Sequence, residues 1–407
     1  MPVREFSLRA TSAGLYSAPK SDSTLISGCA ILAENDFLPK GDLLIAGGKI
    51  RKIASRIAAP DARRISGRGL LAAPGLIDTQ INGGFGCSFS DATPEQVAEV
   101  GRKLLGHGVT GYLPTLISLP RRDMHQGIES LVAASRIKGG AKILGIHLEG
   151  PFLSPQRNGA HQLSNLRLPT VAEFLEYHRA AKGLLRMMTL APERKGALAV
   201  IQAGSRRGVI MSAGHSEATA TEIGRAVLKG GLRHVTHVFN AMPSLHHREE
   251  TIVNAALLID RLSCGFIYDR DHIGSGPATL LLKLKPPGRL ILVSDAVAAM
   301  GLPDGELRAD GEVYVIKDGR VRVKKNGRLA GSATSLLEGL RRLIADTGVL
   351  PYDALSLATS APAELLGLGS RKGVLKPGAD ADVVLFEKGL KVKMAFVGGE
   401  LLHGNHH

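Results

Sequence analysis

Apolar and polar positions follow two rhythms along this chain. From residue 23 to about residue 72 the apolar runs are short and broken by turns. Asp42-Leu-Leu-Ile-Ala46 reads as a strand, Gly47-Gly48 as a turn, and Ile50-Arg-Lys-Ile-Ala54 has the two-residue alternation of a half-buried strand. Such a module cannot close a core alone. From residue 70 onward eight apolar runs recur: Leu70–Ile81, Gly111–Ile117, Ile143–Glu149, Leu185–Ala191, Val209–His215, His234–Asn240, Leu262–Asp269 and Leu290–Asp295. Helical stretches separate them. The clearest is Pro94–Leu105, where Thr93 is placed to cap the first turn and Pro94 suits the first helical position. Ala218–Gly230 and Gly276–Leu284 read the same way. Runs that are apolar throughout belong to strands covered on both faces, and eight strand–helix units is the number that closes a barrel.

After the eighth run the pattern changes. Glu306–Leu329 carries Asp310-Gly311, Asp318-Gly319 and Asn326-Gly327 around alternating stretches, which predicts a β-ribbon inserted in the last crossover. Helices are expected again at Thr334–Asp346 and Tyr352–Leu366, and strands at Gly373–Phe386 and Lys393–Leu402. The expected fold is α/β. A (β/α)8 TIM barrel covers residues 73–371, with the ribbon at about 306–329, and a small β-sandwich is built from both termini, 23–72 and 372–407. Residues 1–22, polar and rich in small side chains, are expected to form a flexible extension.

Composition narrows the function classes. The 407 residues are 44% hydrophobic and 22% charged, ordinary for a globular chain of barrel size. Lys and Arg (51) exceed Asp and Glu (37) by 14, which suits an anionic partner but also a merely positive surface. The basic residues form no long run, aromatics are 4% and Trp is absent, so base stacking and a nucleic-acid arm are disfavoured. Cys29, Cys87 and Cys264 are isolated, which argues against a disulfide framework or a thiolate zinc site. Neither a signal-peptide core at the N-terminus nor a run of eighteen apolar residues is found, so a cytoplasmic protein is expected.

Barrels of this kind carry their chemistry at the C-terminal ends of the strands. Here those ends hold Asp78, Gln80 and Asn82 after run one, His147 and Glu149 after run three, His215 after run five, His237 and Asn240 after run six, and Asp295 after run eight. Each alone has a structural explanation: a buried His is commonly a satisfied core group, and an Asp after an apolar run is commonly a helix cap. Together, Glu149, His215 and His237 would converge on one face as two imidazoles and a carboxylate. That is the three-ligand set of a catalytic divalent metal with a position left for water, and Asp295 would face it as general base and acid.

The run Pro74-Gly-Leu-Ile-Asp78 after a Gly-rich β module resembles the start of amidohydrolase-superfamily barrels. More closely, His147-Leu-Glu149-Gly-Pro-Phe152, Asn158-Gly-Ala-His161, Leu190-Ala-Pro-Glu193, Gly214-His215-Ser216, His237-Val-Phe-Asn240-Ala241-Met-Pro243, His246-His247-Arg248-Glu249 and Ser294-Asp295-Ala296 are similar to the N-acetylglucosamine-6-phosphate deacetylases. The resemblance spans about residues 43 to 400. It implies one divalent metal ion, zinc or iron, on Glu149, His215 and His237, and Asp295 as catalytic base and acid. It implies His161 on the acetamido carbonyl, with Gln80, Asn240, Ala241 and Arg248 among the substrate contacts. His272 is implied as a phosphate contact reaching the neighbouring subunit of a homodimer. The substrate would be a small amino-sugar phosphate, with no nucleic acid or membrane as partner. Gln80 and Asn82 stand where many amidohydrolases have the His-x-His of a second metal, so a single metal is expected. Tyr268-Asp269-Arg270 departs from the family's small Ala-Asp-Gly step, and a surface salt bridge is the expected use of Arg270.

Three other readings compete. The galactosamine epimer of the substrate differs by one hydroxyl, which the sequence does not resolve. An amidohydrolase of cyclic amides is disfavoured by the missing His-x-His and by the Asn240–Arg248 cluster. A non-catalytic or nucleic-acid-binding protein would explain the charge but not an intact Asp295. Gly83-Gly-Phe-Gly86 is no phosphate loop, since no Lys-Ser/Thr follows.

Overall fold

The computed structural model describes residues 23–34 and 36–405. The extension expected over residues 1–22 lies outside the described residues. Eight parallel strands form the barrel: β6 (Leu76–Ile81), β7 (Val109–Leu116), β8 (Ile146–Glu149), β9 (Leu185–Leu190), β10 (Ile210–Ala213), β11 (His234–Val235), β12 (Ser263–Ile267) and β13 (Leu290–Val293). All except β9, where Arg186 is exposed, are buried along their whole length, as the apolar runs predict. Neighbours pair in chain order from β6 to β13.

Closure between β13 and β6 is made in two ways. At the C-terminal ends, Asp295 N–H donates to Gln80 O at 2.9 Å and Asn82 N–H to Ala296 O at 2.7 Å. At the other end a stretch of the last crossover stands between the strands, where Ala358 O takes the Ile77 N–H and Leu357 O the Leu292 N–H. This explains a difference from expectation. The single helix expected at Tyr352–Leu366 is two, Pro351–Ser356 and Ser360–Leu365, because the carbonyls between them serve the barrel. Ala218–Gly230 is also divided, into a helix over Ala220–Arg225 and a π turn over Ala226–Gly230. Thr93 does cap helix Pro94–Leu104, in a reciprocal capping box with Gln96.

The strand faces divide the core. Outward residues such as Leu148, Phe266 and Leu292 join the large cluster under the helices. Inward, Leu113, Met187, Ile210, Ile267 and Ile291 form a separate apolar cluster with Ala361 and Leu365. Other inward positions form a chain of polar groups: His147 to Thr189 at 2.8 Å, Thr189 to Thr236 at 2.7 Å, and Thr236 to Ser212 at 2.6 Å. His147 and His234 are therefore satisfied core histidines. Burial pushes them down to about 4 and about 3, so both are neutral.

Both terminal segments enter one mixed sheet, as the sequence predicts. The N-terminal segment supplies β1 (Ser23–Leu32), β2 (Phe37–Ala46), β3 (Lys49–Ala54), β4 (Arg63–Ser66) and β5 (Leu71–Pro74). The ribbon is β14 (Gly305–Ala309), β15 (Glu312–Lys317) and β16 (Arg320–Val323), and the C-terminal segment supplies β17 (Val383–Glu387), β18 (Lys391–Val397) and β19 (Glu400–His403). The sheet order is β19-β18-β17-β5-β1-β2-β3, with β4 also on β1. Ile26, Ile31, Leu43, Ile50, Val383 and Phe396 fill its core. The ribbon strands pair only with one another. The ribbon lies after β13, at the end of the barrel where the strand C-termini open.

Candidate active site

Glu149 is the last residue of β8, while His215 and His237 follow the ends of β10 and β11 by two residues. Neither histidine keeps strand geometry. His215 has φ +47°, His237 φ +28° and Asp295 φ +46°, all in the left-handed region that non-glycine residues avoid. The strands stop there because this backbone cannot continue a ladder, and the turn swings the side chains over the barrel mouth. Strain gathered at three adjacent polar residues is characteristic of a functional site.

The three side chains meet. His237 Nε2 lies 2.9 Å from Glu149 Oε1 and 3.0 Å from His215 Nε2, and His215 Nε2 lies 3.3 Å from Glu149 Oε1. His215 Nδ1 faces the Arg157 carbonyl at 2.9 Å, which only accepts, so Nδ1 carries the proton and Nε2 presents a lone pair. A lone-pair nitrogen and a carboxylate oxygen at 3.3 Å repel unless a positive charge lies between them. His237 Nδ1 is buried without a partner. This donor set fits a divalent cation, and all the ligand atoms lie within 4.8 Å of one another. Burial acts against the Glu149 charge, but the two imidazoles that face it, His215 and His237, hold its carboxyl well below the usual range. Glu193, from the Leu190–Glu193 motif, fixes the turn after His215 by accepting from Ser216 Oγ at 2.7 Å and from the Glu217 N–H at 2.8 Å.

His161 lies beside this group, with Nε2 3.8 Å from Glu149 Oε2. Its Nδ1 accepts the Ser118 N–H at 3.2 Å. The neutral ring therefore carries its proton on Nε2, the atom that faces the site, and burial pushes the group down to about 3. Asp295 is buried, and burial with the Glu149 charge nearby pushes its carboxyl up to about 6. Its Oδ1 accepts from Asn82 Nδ2 at 2.7 Å and from Gln80 Nε2 at 3.1 Å.

Glu149, His161, His215, His237, Asn240, Ala241, His272 and Asp295 line one cavity of about 320 Å³, so most of the sequence-predicted site residues come together. Three placements stand out. Gln80 is not among the lining residues; it is buried, and its amide joins Glu149 Oε1 at 3.0 Å to Asp295. Arg248 is exposed and outside the cavity, because the long loop after β11 carries it to the surface. His272, expected to reach a partner's site, lines its own chain's cavity, held by Asp269 Oδ2 at 2.7 Å, which Ser332 Oγ also binds at 2.8 Å. Arg270 behaves as expected: it forms a two-point ion pair with Asp346, at 2.7 and 2.6 Å.

Sequence reasoning missed the other wall. Asp310, Tyr314 and Arg328–Gly331 come from the ribbon and its return limb and cover the mouth. The signal was topological: an insertion after the eighth strand leaves from the catalytic end of a barrel. A larger cavity of about 650 Å³, lined by Leu70, Leu71, Ile344 and Phe386, lies between the terminal sheet and helix Leu336–Thr347, away from this chemistry.

A barrel with one Glu-His-His donor set and an adjacent aspartate defines a class, and comparison with known proteins agrees: the chain belongs to the amidohydrolase family, which matches residues 71–402. Its relatives include the N-acetylglucosamine-6-phosphate deacetylase of Bos taurus, 37% identical over 404 residues that cover 96% of this chain and 98% of that protein. The N-acetylgalactosamine-6-phosphate deacetylase of Escherichia coli O157:H7 is 33% identical over 372 residues, covering 91% and 97%. Among solved structures, the N-acetylglucosamine-6-phosphate deacetylase of Pasteurella multocida superposes with a TM-score of 0.88 at 28% identity, over 94% of this chain and 100% of that one. An aspartate-to-alanine mutant of the Mycobacterium smegmatis enzyme, in complex with N-acetyl-D-glucosamine-6-phosphate, gives 0.87 at 32% identity, over 94% and 99%.

Proposed function

We propose that this chain hydrolyses the acetamide of N-acetylglucosamine 6-phosphate to glucosamine 6-phosphate and acetate. The carrying observation is the Glu149, His215 and His237 donor set with Asp295 and a neutral His161 beside it in one cavity. Glu149, His215 and His237 would hold one divalent ion, zinc or iron, which supplies Lewis acidity toward the amide carbonyl and a lowered pKa for bound water. His161 Nε2–H donates to the carbonyl oxygen as charge gathers there. Asp295 accepts the proton of the attacking water and delivers it to the departing amine nitrogen, with Gln80 and Asn82 holding Oδ1 so that Oδ2 is left for the transfer. Asn240, Ala241 and His272 are proposed contacts to the sugar phosphate.

The galacto epimer is the second reading, supported by the E. coli relative. We also propose a homodimer. The family resemblance supports it. Sedimentation of the purified chain tests it. Among the described residues no helix is long and apolar enough to cross a membrane. Cys29, Cys87 and Cys264 are free thiols, which supports a cytoplasmic setting. The activity is tested by measuring acetate and free amine from both epimers. The proposal expects equal amounts of the two products, formed faster from the gluco epimer; faster release from the galacto epimer would select the second reading.

A further inference from the structure

We infer that Asp346 and Arg270 are positioning residues for the reaction: with Tyr268 they clamp the loop after β12, so that Asp269 holds His272 at the cavity wall. The inference rests on the deacetylase reading. One face of helix Leu336–Thr347 is turned to this loop, with Gly339, Arg342 and Asp346 spaced three and four residues apart. A Cβ on Gly339 would lie 3.0 Å from Tyr268 O, so the helix packs against the loop backbone as closely as a glycine allows. Arg342 Nη1 donates to Asp269 O at 2.8 Å. Asp346 accepts from the Tyr268 hydroxyl at 3.0 Å and from Arg270 Nε and Nη2 at 2.7 and 2.6 Å. Three consecutive residues, 268 to 270, are therefore tied to one helix face.

Stability alone does not account for this clamp. Arg270 has φ +70°, in the left-handed region that favours glycine and strains any larger residue. Its side chain is 53% exposed, and an ion pair so open to solvent returns little stability. Two-point pairing does, however, fix direction as well as distance. The pair also shares its carboxylate with the hydroxyl of Tyr268, a buried residue on the other side of Asp269. A glycine at 270 would take the same φ freely but would anchor nothing.

What the clamp holds still is Asp269. Its Oδ1 accepts the N–H groups of Asp271 and His272, each at 2.9 Å, and its Oδ2 accepts from His272 Nδ1 at 2.7 Å and from Ser332 Oγ at 2.8 Å. A carboxylate only accepts, so His272 Nδ1 carries a proton and Nε2 is left for the cavity that this ring lines. With four donors on one carboxylate, the ring shifts when residue 269 shifts, and the clamp fixes residue 269 from both sides. The reacting groups have other supports. Asp295 is held by Gln80 and Asn82, and Glu149, His215 and His237 stand at the ends of other strands. The clamp therefore bears on substrate binding through His272 and leaves the reacting groups in place.

Steady-state kinetics on N-acetylglucosamine 6-phosphate test this with metal-loaded wild type, Asp346→Ala, Arg270→Ala, Arg270→Gly, His272→Ala and the double variant of His272→Ala with Asp346→Ala. Urea midpoints are measured on the same samples. KM should rise by about 10-fold in Asp346→Ala and in both Arg270 variants, while kcat and metal content stay within about two-fold of wild type. Arg270→Gly relieves the left-handed strain, so its midpoint should stand at or above that of Arg270→Ala although the two KM values agree. In the His272→Ala background, adding Asp346→Ala should change KM by less than about two-fold, since the clamp acts through that ring. A KM that follows the urea midpoint, or the same multiplicative effect of Asp346→Ala with and without His272, would overturn the inference and leave the deacetylase reading standing. A wild type that releases no acetate from this sugar would remove the deacetylase reading and this inference with it.

Discussion

Two side-chain amides govern the charges at the barrel mouth. Gln80 donates to both Glu149 and Asp295, and Asn82 donates to Asp295. They let two buried carboxylates remain close, one proposed to bind metal and the other to handle protons. Asp295→Asn removes the proton acceptor and keeps the shape, so kcat should drop by about 100-fold or more at unchanged metal content, in line with the usual worth of a general base. The wild-type pH profile carries the same information. Burial and the Glu149 charge raise the folded carboxyl of Asp295 to about 6, and a cation bound beside it would bring it back down. As pH falls the group takes up a proton and can no longer act as a base, so kcat/KM should lose activity on an acid limb at or below about 6. Asp295→Asn should lack that limb. Residual turnover that still shows it would assign the titration to another group.

At the scale of elements, the turns after the strands matter more than the strands. Gly159 is the sharpest case. It has φ +57°, and an added methyl would stand 2.8 Å from the ring of His215. Gly159→Ala should keep the fold, since the loop is away from the core clusters, yet displace a metal ligand. The expected outcome is a metal affinity lower by 10-fold or more with an unchanged far-ultraviolet circular dichroism spectrum. Full metal retention would show that His215 tolerates the shift. These elements also mark what the sequence could tell. The eight runs were legible because parallel strands, covered on both faces, are apolar throughout, and Glu149, His215, His237 and Asp295 were legible as the polar residues that end them. The ribbon side of the cavity was not. Arg248 follows His237 closely in sequence, but the intervening loop leads outward, and Arg328 reaches the cavity from a ribbon distant in sequence. Gln80 stands at its strand end as expected, and its side chain turns to Glu149 and Asp295 inside the barrel.

At the scale of the molecule, a cluster of charges closes the terminal sheet. Lys372 is buried, with Nζ 2.5 Å from Asp382 and 3.1 Å from Asp380, and Asp380 also takes Lys49 at 2.5 Å. Asp382 accepts the Gly398 N–H at 2.7 Å, and its carbonyl takes the Gly75 N–H at the entrance to β6. The cluster therefore links both chain ends to the first barrel strand. Lys372→Ala leaves Asp382 buried without its cation, and removing one partner of such a pair costs about 3 to 5 kcal/mol. The urea midpoint should fall accordingly while the activity of the folded fraction persists. A midpoint unchanged within error would mean that the cluster is wetter than its burial implies.

All three scales converge on one centre, the Glu149, His215 and His237 donor set, proposed to hold a single metal facing an amino-sugar phosphate. The most direct measurement follows bound metal and acetate release from N-acetylglucosamine 6-phosphate in one sample, as chelator-stripped protein is titrated with zinc or iron(II). The account predicts negligible acetate from stripped protein, activity rising in proportion to metal and levelling at about one ion per chain, and no recovery in His237→Ala at the same metal concentrations. Full activity in stripped protein, or activity restored in His237→Ala, would contradict it.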